Sequence, residues 1–410
     1  MTEGVERRLG LASKAAYGLG DLGFLLVWHG SALFLLYFYT DVLGIAPGLA
    51  GIIYLAAMIW DAVSDPVVAA WAERLAARRG RYTPIIAWAA LPVGIGYMLI
   101  FLVPPLQGAW LAVWALFAHL AFRTAYTIAS MPYNTLPVRL STRARDRNAL
   151  SGFRVAGAAT GGILTAVLTP LIVQSARAQS MPEATGYLLA AVIIGLLCAA
   201  LLFACSRSVK EPPSPVSDPG PPDYGGALFA MLRAATANRP LAWLLAVMVL
   251  GTIGHGFFTH TILYFLTHVL ARPDGVTLIL GTSALATIVA APLWVILAAR
   301  TSKKASLIAG LVMAAAGYCL MGLAPTGSLT LPLIAVALAG AGGGAIPVML
   351  WSMVPDSIEY GEFRTGERIE ARTFGLTTFA QKSAVGLTAL MAGGLLTLSG
   401  YAGGQSVDGE

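Results

Sequence analysis

Apolar runs of about 20 residues, the length that crosses a bilayer as a helix, recur near 22–43, 48–72, 84–104, 108–130, 150–174, 186–206, 241–269, 276–299, 304–324, 328–352 and 372–398. Short polar connections separate them, so eleven membrane helices are expected. One connection is unlike the rest. From Glu211 to Pro222 the chain reads Glu-Pro-Pro-Ser-Pro-Val-Ser-Asp-Pro-Gly-Pro-Pro, which can neither continue a helix nor bury a core. It is expected to be a cytoplasmic linker. The chain then divides into a six-helix bundle over 1–206, a linker over 207–240 and a bundle of about five helices over 241–410.

Composition agrees with this pattern. Hydrophobic residues make up 57% of the 410 and charged residues 11%, and the mean hydropathy of +0.74 is that of an all-α integral membrane protein. Basic residues fall in alternate connections: Arg7, Arg8 and Lys14; Arg74, Arg78, Arg79 and Arg81; Arg139, Arg143, Arg145 and Arg147; then Arg207 and Lys210; Arg300, Lys303 and Lys304; Arg364 and Arg368. The opposite connections carry Arg177 and Arg272. The positive-inside rule places the amino terminus in the cytoplasm, for a multi-pass protein of a bacterial-type inner membrane. The net charge of +6 is accounted for by this bias, and no nucleic-acid partner is read from it. The first apolar run is too long, and too rich in Tyr and Trp, for a cleaved signal peptide. Cys198, Cys205 and Cys319 lie in apolar spans without metal spacing and are read as packing residues.

Charge inside the apolar runs is the candidate chemistry. The second run reads Trp60-Asp61-Ala-Val-Ser64-Asp65-Pro66. Asp61 and Asp65 are four apart, so they share a helix face and can converge on one cation. Arg154 and Lys382 also fall within apolar spans and could neutralise these acids. Arg123 could pair with any of the intramembrane acids. Asp21, near the start of the first span, suits either a helix amino end or a substrate or gating role. His255, His260 and His268 share one span, where helix packing is a commoner role than a proton relay. Gly340-Ala-Gly-Gly-Gly-Ala-Ile-Pro347 has neither the preceding strand nor the Lys-Ser/Thr ending of a phosphate loop, and is read as close helix packing.

Six motifs occur in order: Tyr17-Gly-Leu-Gly-Asp21, Leu36-Tyr-Phe-Tyr-Thr-Asp41-Val-Leu-Gly, Trp60-Asp61-Ala-Val-Ser-Asp65-Pro66, Gly80-Arg81-Tyr-Thr-Pro84, Tyr126-Thr127-Ile-Ala-Ser130-Met-Pro132-Tyr133 and Asp356-Ser-Ile-Glu-Tyr360-Gly361-Glu362. Over nearly its whole length the chain resembles the glycoside/pentoside/hexuronide:cation symporters, whose fold the animal sodium-dependent lysolipid transporters share. The resemblance implies the major facilitator fold, two helical bundles with a substrate site near the midplane between them. It also leads one to expect a twelfth helix, which the sequence after Leu398 does not provide.

In the melibiose permease branch of that family, the two acids of helix 2 bind the coupling cation, with the polar residue before the second acid and a helix 4 threonine. The resemblance therefore assigns a Na⁺, Li⁺ or H⁺ site to Asp61, Ser64, Asp65 and Thr127, with Asp61 and Asp65 as the Na⁺ ligands if sodium is coupled. It implies a substrate site at Asp21, Phe24, Leu25, Tyr126, Ser130, Asn134, Arg154, Thr378 and Lys382. Here Phe24-Leu25 stands where that branch has a Lys-Asp pair, Ser130 where it has an Asp, and Asn134 where it has the stacking Trp. An unpaired sugar hydroxyl in a dry site costs about 1–3 kcal/mol, which argues against an α-galactoside. The expected function is cation-coupled symport of a sugar, glycoside or sugar acid by a monomer, with a small solute, a monovalent cation and membrane lipid as partners and no cofactor. An amphipathic or lipid-like solute suits Phe24 and Leu25, and a non-transporting sensor or scaffold suits the short carboxyl end. An enzyme is disfavoured, since no nucleophile, metal cluster or cofactor loop is found.

Overall fold

The computed structural model describes residues 9–141, 143–212, 238–365 and 370–401. The expected linker beyond Pro212, together with Arg7, Arg8, Arg368 and the side chains of Arg145 and Arg147, lies outside the described residues. Among the described residues there are twelve α-helices and no strand. They are α1 (Leu11–Tyr37), α2 (Pro47–Arg79), α3 (Thr83–Ile100), α4 (Ala109–Leu140), α5 (Ala144–Ala178), α6 (Glu183–Ser208), α7 (Arg239–Tyr264), α8 (Val276–Arg300), α9 (Lys303–Met321), α10 (Thr330–Gly343), α11 (Ala345–Thr365) and α12 (Glu370–Leu398).

Ten helical stretches are long and apolar enough to cross a bilayer, α10 and α11 counting as one over Thr330–Arg364. The eleventh expected span corresponds to α12, which is 29 residues long but interrupts its apolar sequence with Glu370, Arg372 and Lys382 and falls outside the ten. Large apolar side chains such as Trp88, Phe117, Val155 and Trp243 are exposed on helix faces. In water they would be a liability. Against acyl chains they cost nothing, and packing specificity comes from small residues and polar contacts instead. The glycine-rich stretch shows this: a Cβ on Gly340 would lie 2.5 Å from the Ser283 carbonyl oxygen, so only glycine allows α10 and α8 to touch there.

The chain divides into two compact units that do not follow chain order. One takes α1 as far as Leu35, α2 from Val63, and α3–α6. Its core includes the aromatic group Tyr97, Phe101, Phe122 and Tyr187. At one end of this unit the Glu211 carboxylate accepts the Tyr82 and Thr83 backbone N–H groups at 2.8 and 2.9 Å, which caps α3, and also accepts from Arg139. Lys14 pairs with Asp146 at 2.7 Å, and Asp146 also accepts from Leu9 N–H and from the Ser141 hydroxyl. The hydrogen bond from Lys14 is the main reason the Asp146 carboxyl is held below its ordinary value. A depressed folded-state pKa contributes stability that is full above the unfolded aspartate value of about 3.9 and is lost as pH falls through the folded value. The melting temperature of Asp146→Asn should therefore lie below that of the wild type at neutral pH, and the gap should close only below about pH 4.

The other unit takes the end of α1, α2 as far as Ala62, and α7–α12. Residues 36–62 join the later helices through the Thr40–Tyr264 hydroxyl contact at 2.7 Å, the bond from Gly48 N–H to the Thr397 hydroxyl at 2.9 Å and the Asp61–Lys382 ion pair. A sequence-based division at the linker assigns this stretch to the first half; these contacts are why it clusters with the second.

Within that unit a nine-residue repeat is visible. Leu36-Tyr-Phe-Tyr-Thr-Asp-Val-Leu-Gly44 and Leu263-Tyr-Phe-Leu-Thr-His-Val-Leu-Ala271 each end a helix in a π turn, at Phe38–Val42 and Phe265–Val269. The two turns close alike: Leu43 N–H donates to Phe38 and Ile45 to Tyr39, as Leu270 does to Phe265 and Arg272 to Leu266. Each then reverses at a left-handed residue, Gly44 at φ +69° and Ala271 at φ +51°. An L-residue in that region costs about 1–2 kcal/mol, partly offset by the added chain entropy of glycine. Ala271→Gly is expected to raise the stability of the purified protein by roughly 0.5–1 kcal/mol, read by thermal denaturation.

Candidate functional site

The second carboxylate of the α2 pair lies in the first unit. Thr127, fully buried on α4, donates its hydroxyl to Asp65 Oδ1 at 3.2 Å. Ser64 is buried beside them. Pro66 continues the helix but has no N–H to donate one turn back. Carboxylate, hydroxyl and carbonyl oxygens are the hard ligands that Na⁺ and Li⁺ prefer.

Asp61 lies in the second unit, where it is fully buried and ion-paired to Lys382 Nζ at 2.9 Å. The pairing follows from helix packing. One turn beyond Lys382, a Cβ on Gly386 would lie 2.9 Å from Met58 Cβ, so α12 approaches α2 closely there and its lysine reaches the aspartate. Thr378, one turn earlier, spends its hydroxyl on the Phe374 carbonyl of its own helix. Lys382 was expected to neutralise either acid of the pair, and it takes Asp61.

From the sequence Arg154 could neutralise Asp61 or Asp65, or serve the substrate site. Its Nε instead donates to Asp21 Oδ1 at 3.0 Å, within the first unit, and Asp21 is 5% exposed. Asp21 is thus an ion-paired group inside the unit, beyond what a helix amino end requires. The Arg154 guanidinium lies over the Tyr133 ring at 5.5 Å. Tyr133 stacks on Tyr17 and meets Phe24, Phe24 meets Tyr126, and Tyr126 meets Trp28. Ser130 is buried, Leu25 half-buried and Asn134 exposed. Phe24, which the resemblance assigns to the substrate site, is 2% exposed and packs between the tyrosines.

Arg123 pairs with none of the acids among the described residues. It stacks on Trp28 at 4.6 Å and bonds to Ser31 and His119. The three histidines of α7 and its π turn are each drawn to a different neighbour. His255 meets the Tyr318 hydroxyl, His260 the Tyr54 ring and His268 the Asp41 carboxylate at 3.1 Å. Tyr401 bonds to both Asp41 and His268, and burial, with that bond to Asp41, pushes its phenol above the ordinary range. Asp41 and His268 occupy the same position of the nine-residue repeat, so the contact joins two related turns. Asp41 lies within the motif Leu36–Gly44, whose residues alone carry no sign of the partner on the later helix. Cys198 and Cys205 are buried, as packing residues would be, while Cys319 is exposed.

Residues 16–410 match the family described as MFS/sugar transport protein. The chain is 27% identical over 404 residues to the glucuronide carrier protein homolog of Escherichia coli (strain K12), covering 98% of this chain and 86% of that protein. It is 26% identical over 401 residues to the uncharacterized symporter YnaJ of Bacillus subtilis (strain 168), with 98% and 86% covered. Among solved structures, that of the nucleoside transporter NupG aligns with a TM-score of 0.67 at 14% identity, over 96% of this chain and 94% of that one. That last likeness is one of fold.

Proposed function

From the premise that the chain belongs to the MFS/sugar transport family, we propose that it is a cation-coupled symporter of a small polar solute, a sugar, glycoside or sugar acid, working by alternating access in a bacterial inner membrane with its amino terminus in the cytoplasm. The observation that carries this reading is the Asp65–Thr127 bond at 3.2 Å beside Ser64, one helical turn from Asp61 on a proline-interrupted helix. The names of the relatives, a glucuronide carrier homolog and a symporter, support both halves of it.

The coupling follows from charge. Two carboxylates in a low-dielectric setting repel each other and resist burial. Lys382 offsets Asp61, and the Thr127 hydroxyl donates to Asp65. A cation bound at Asp65 lowers that repulsion, with the hydroxyl oxygens of Ser64 and Thr127 in its shell. If the coupling ion is H⁺, protonation of the same carboxyl does so without a shell. A solute that binds only the charge-compensated form is carried together with its ion.

Substrate-dependent cation uptake into vesicles holding the purified protein tests this. Glucuronate added outside is expected to draw Na⁺ or H⁺ inward with it; solute entry that moves neither ion would refute coupling.

A further inference from the structure

Arg123 stands at the middle of the membrane span Ala109–Pro137 and is 1% exposed. A guanidinium charge at that depth costs about 2.5–3.5 kcal/mol on insertion scales. The other two intramembrane cations at the candidate residues each face a carboxylate, Arg154 at Asp21 and Lys382 at Asp61. Arg123 meets a histidine, a hydroxyl and two aromatic rings. Nε bonds to His119 Nε2 and Nη2 to Ser31 Oγ, both at 3.3 Å; the plane lies over Trp28 at 4.6 Å and near Phe122 at 5.5 Å. Nη1 is buried with no hydrogen-bond partner, and no carboxylate reaches the group among the described residues.

Its position gives that unmet charge a direction. Arg123 lies one turn before Thr127 and two before Ser130 on the same face of α4. It also closes the aromatic row that begins over Tyr17 and Tyr133 and runs through Phe24 and Tyr126 to Trp28. The Arg154–Asp21 pair borders one end of that row, and Arg123 stands at the other.

We propose that Arg123, with the Ser31 hydroxyl and the Trp28 ring, is an oxyanion-binding site that recognises the carboxylate of the transported solute. This rests on the symport reading and narrows it to an acidic solute. A planar carboxylate accepts two parallel bonds from a guanidinium fork, which a single ammonium cannot reproduce. Binding of the anion supplies the countercharge that the fold leaves out, and a neutral sugar of the same shape cannot. Arg123 thereby sets specificity for charge, while the cation residues on α2 set coupling.

The test uses the purified full chain and two probes, glucuronate and glucose, with binding read by calorimetry and by shift in melting temperature. Wild type is expected to bind glucuronate at least tenfold more tightly than glucose. Arg123→Gln should remove that preference, and Arg123→Lys, which keeps the charge but loses the fork, should weaken glucuronate at least fivefold without affecting glucose. If the Gln variant does not fold, the Lys variant alone decides. Equal affinity for the two probes, no binding of glucuronate, or glucuronate affinity unchanged in Arg123→Lys would each overturn the assignment. Na⁺- or H⁺-dependent stabilisation of the wild type without sugar is measured in parallel. Its presence with no glucuronate preference would defeat this inference and leave symport standing, whereas its absence beside a clear preference would do the reverse.

Discussion

Asp65→Asn abolishes gradient-driven accumulation of solute in vesicles while leaving the protein folded, and Asp61→Asn abolishes accumulation and also lowers stability. Both changes keep the side chain's shape and remove one charge. A unit charge about 4 Å from a monovalent cation at an effective dielectric of 20 is worth about 4 kcal/mol, against the 1.4 kcal/mol that makes a tenfold change in affinity. Cation binding should fall by more than two orders of magnitude, and accumulation with it. The two variants differ because their partners differ. Asp65 accepts from the Thr127 hydroxyl, whereas Asp61→Asn removes the carboxylate of a 2.9 Å ion pair with Lys382. Uptake assays and melting curves on both variants check this, and accumulation retained in both would remove the carboxylates from the coupling site.

Lys382→Ala is expected to destabilise the purified protein by about 3–5 kcal/mol, because it breaks a buried ion pair and leaves Asp61, which is fully buried, without its countercharge. Adding Asp61→Asn should restore part of that loss. The double variant should then cost less than the sum of the two single changes by roughly 2 kcal/mol or more. Additivity in the Asp61 cycle instead would mean that the 2.9 Å contact contributes nothing.

Much of the fold could be read from the chain because hydrocarbon sets a simple length rule, and each apolar run near 20 residues became a helix. Boundaries moved where apolarity and helicity part company. α4 and α5 extend well past their apolar runs, and the Gly344 junction splits one passage into α10 and α11. The acidic pair at 61 and 65 was legible because charge is rare in such runs. Partner choice was not, since it depends on which helices approach closely. Lys382 finds Asp61 through the small residue at Gly386, and Arg154 finds Asp21 through the contact of α5 with α1. The packing of Phe24 against Tyr126 and Tyr133 was not legible, because sequence shows what a side chain is and not which way its helix is turned. The Asp41–His268 contact did leave a signal, the nine-residue repeat at 36–44 and 263–271, which a search for internal similarity would have found.

The most direct measurement is the melting temperature of the purified protein, titrated with NaCl and LiCl against choline chloride at fixed ionic strength and repeated across pH. A cation that binds the folded state stabilises it by about 2.7 kcal/mol at one hundred times its dissociation constant. The expected result is a saturable rise with Na⁺ or Li⁺, or a proton-linked rise in their absence, that disappears in Asp65→Asn. Identical curves for wild type and Asp65→Asn in all three salts and at every pH would contradict a coupling site on α2.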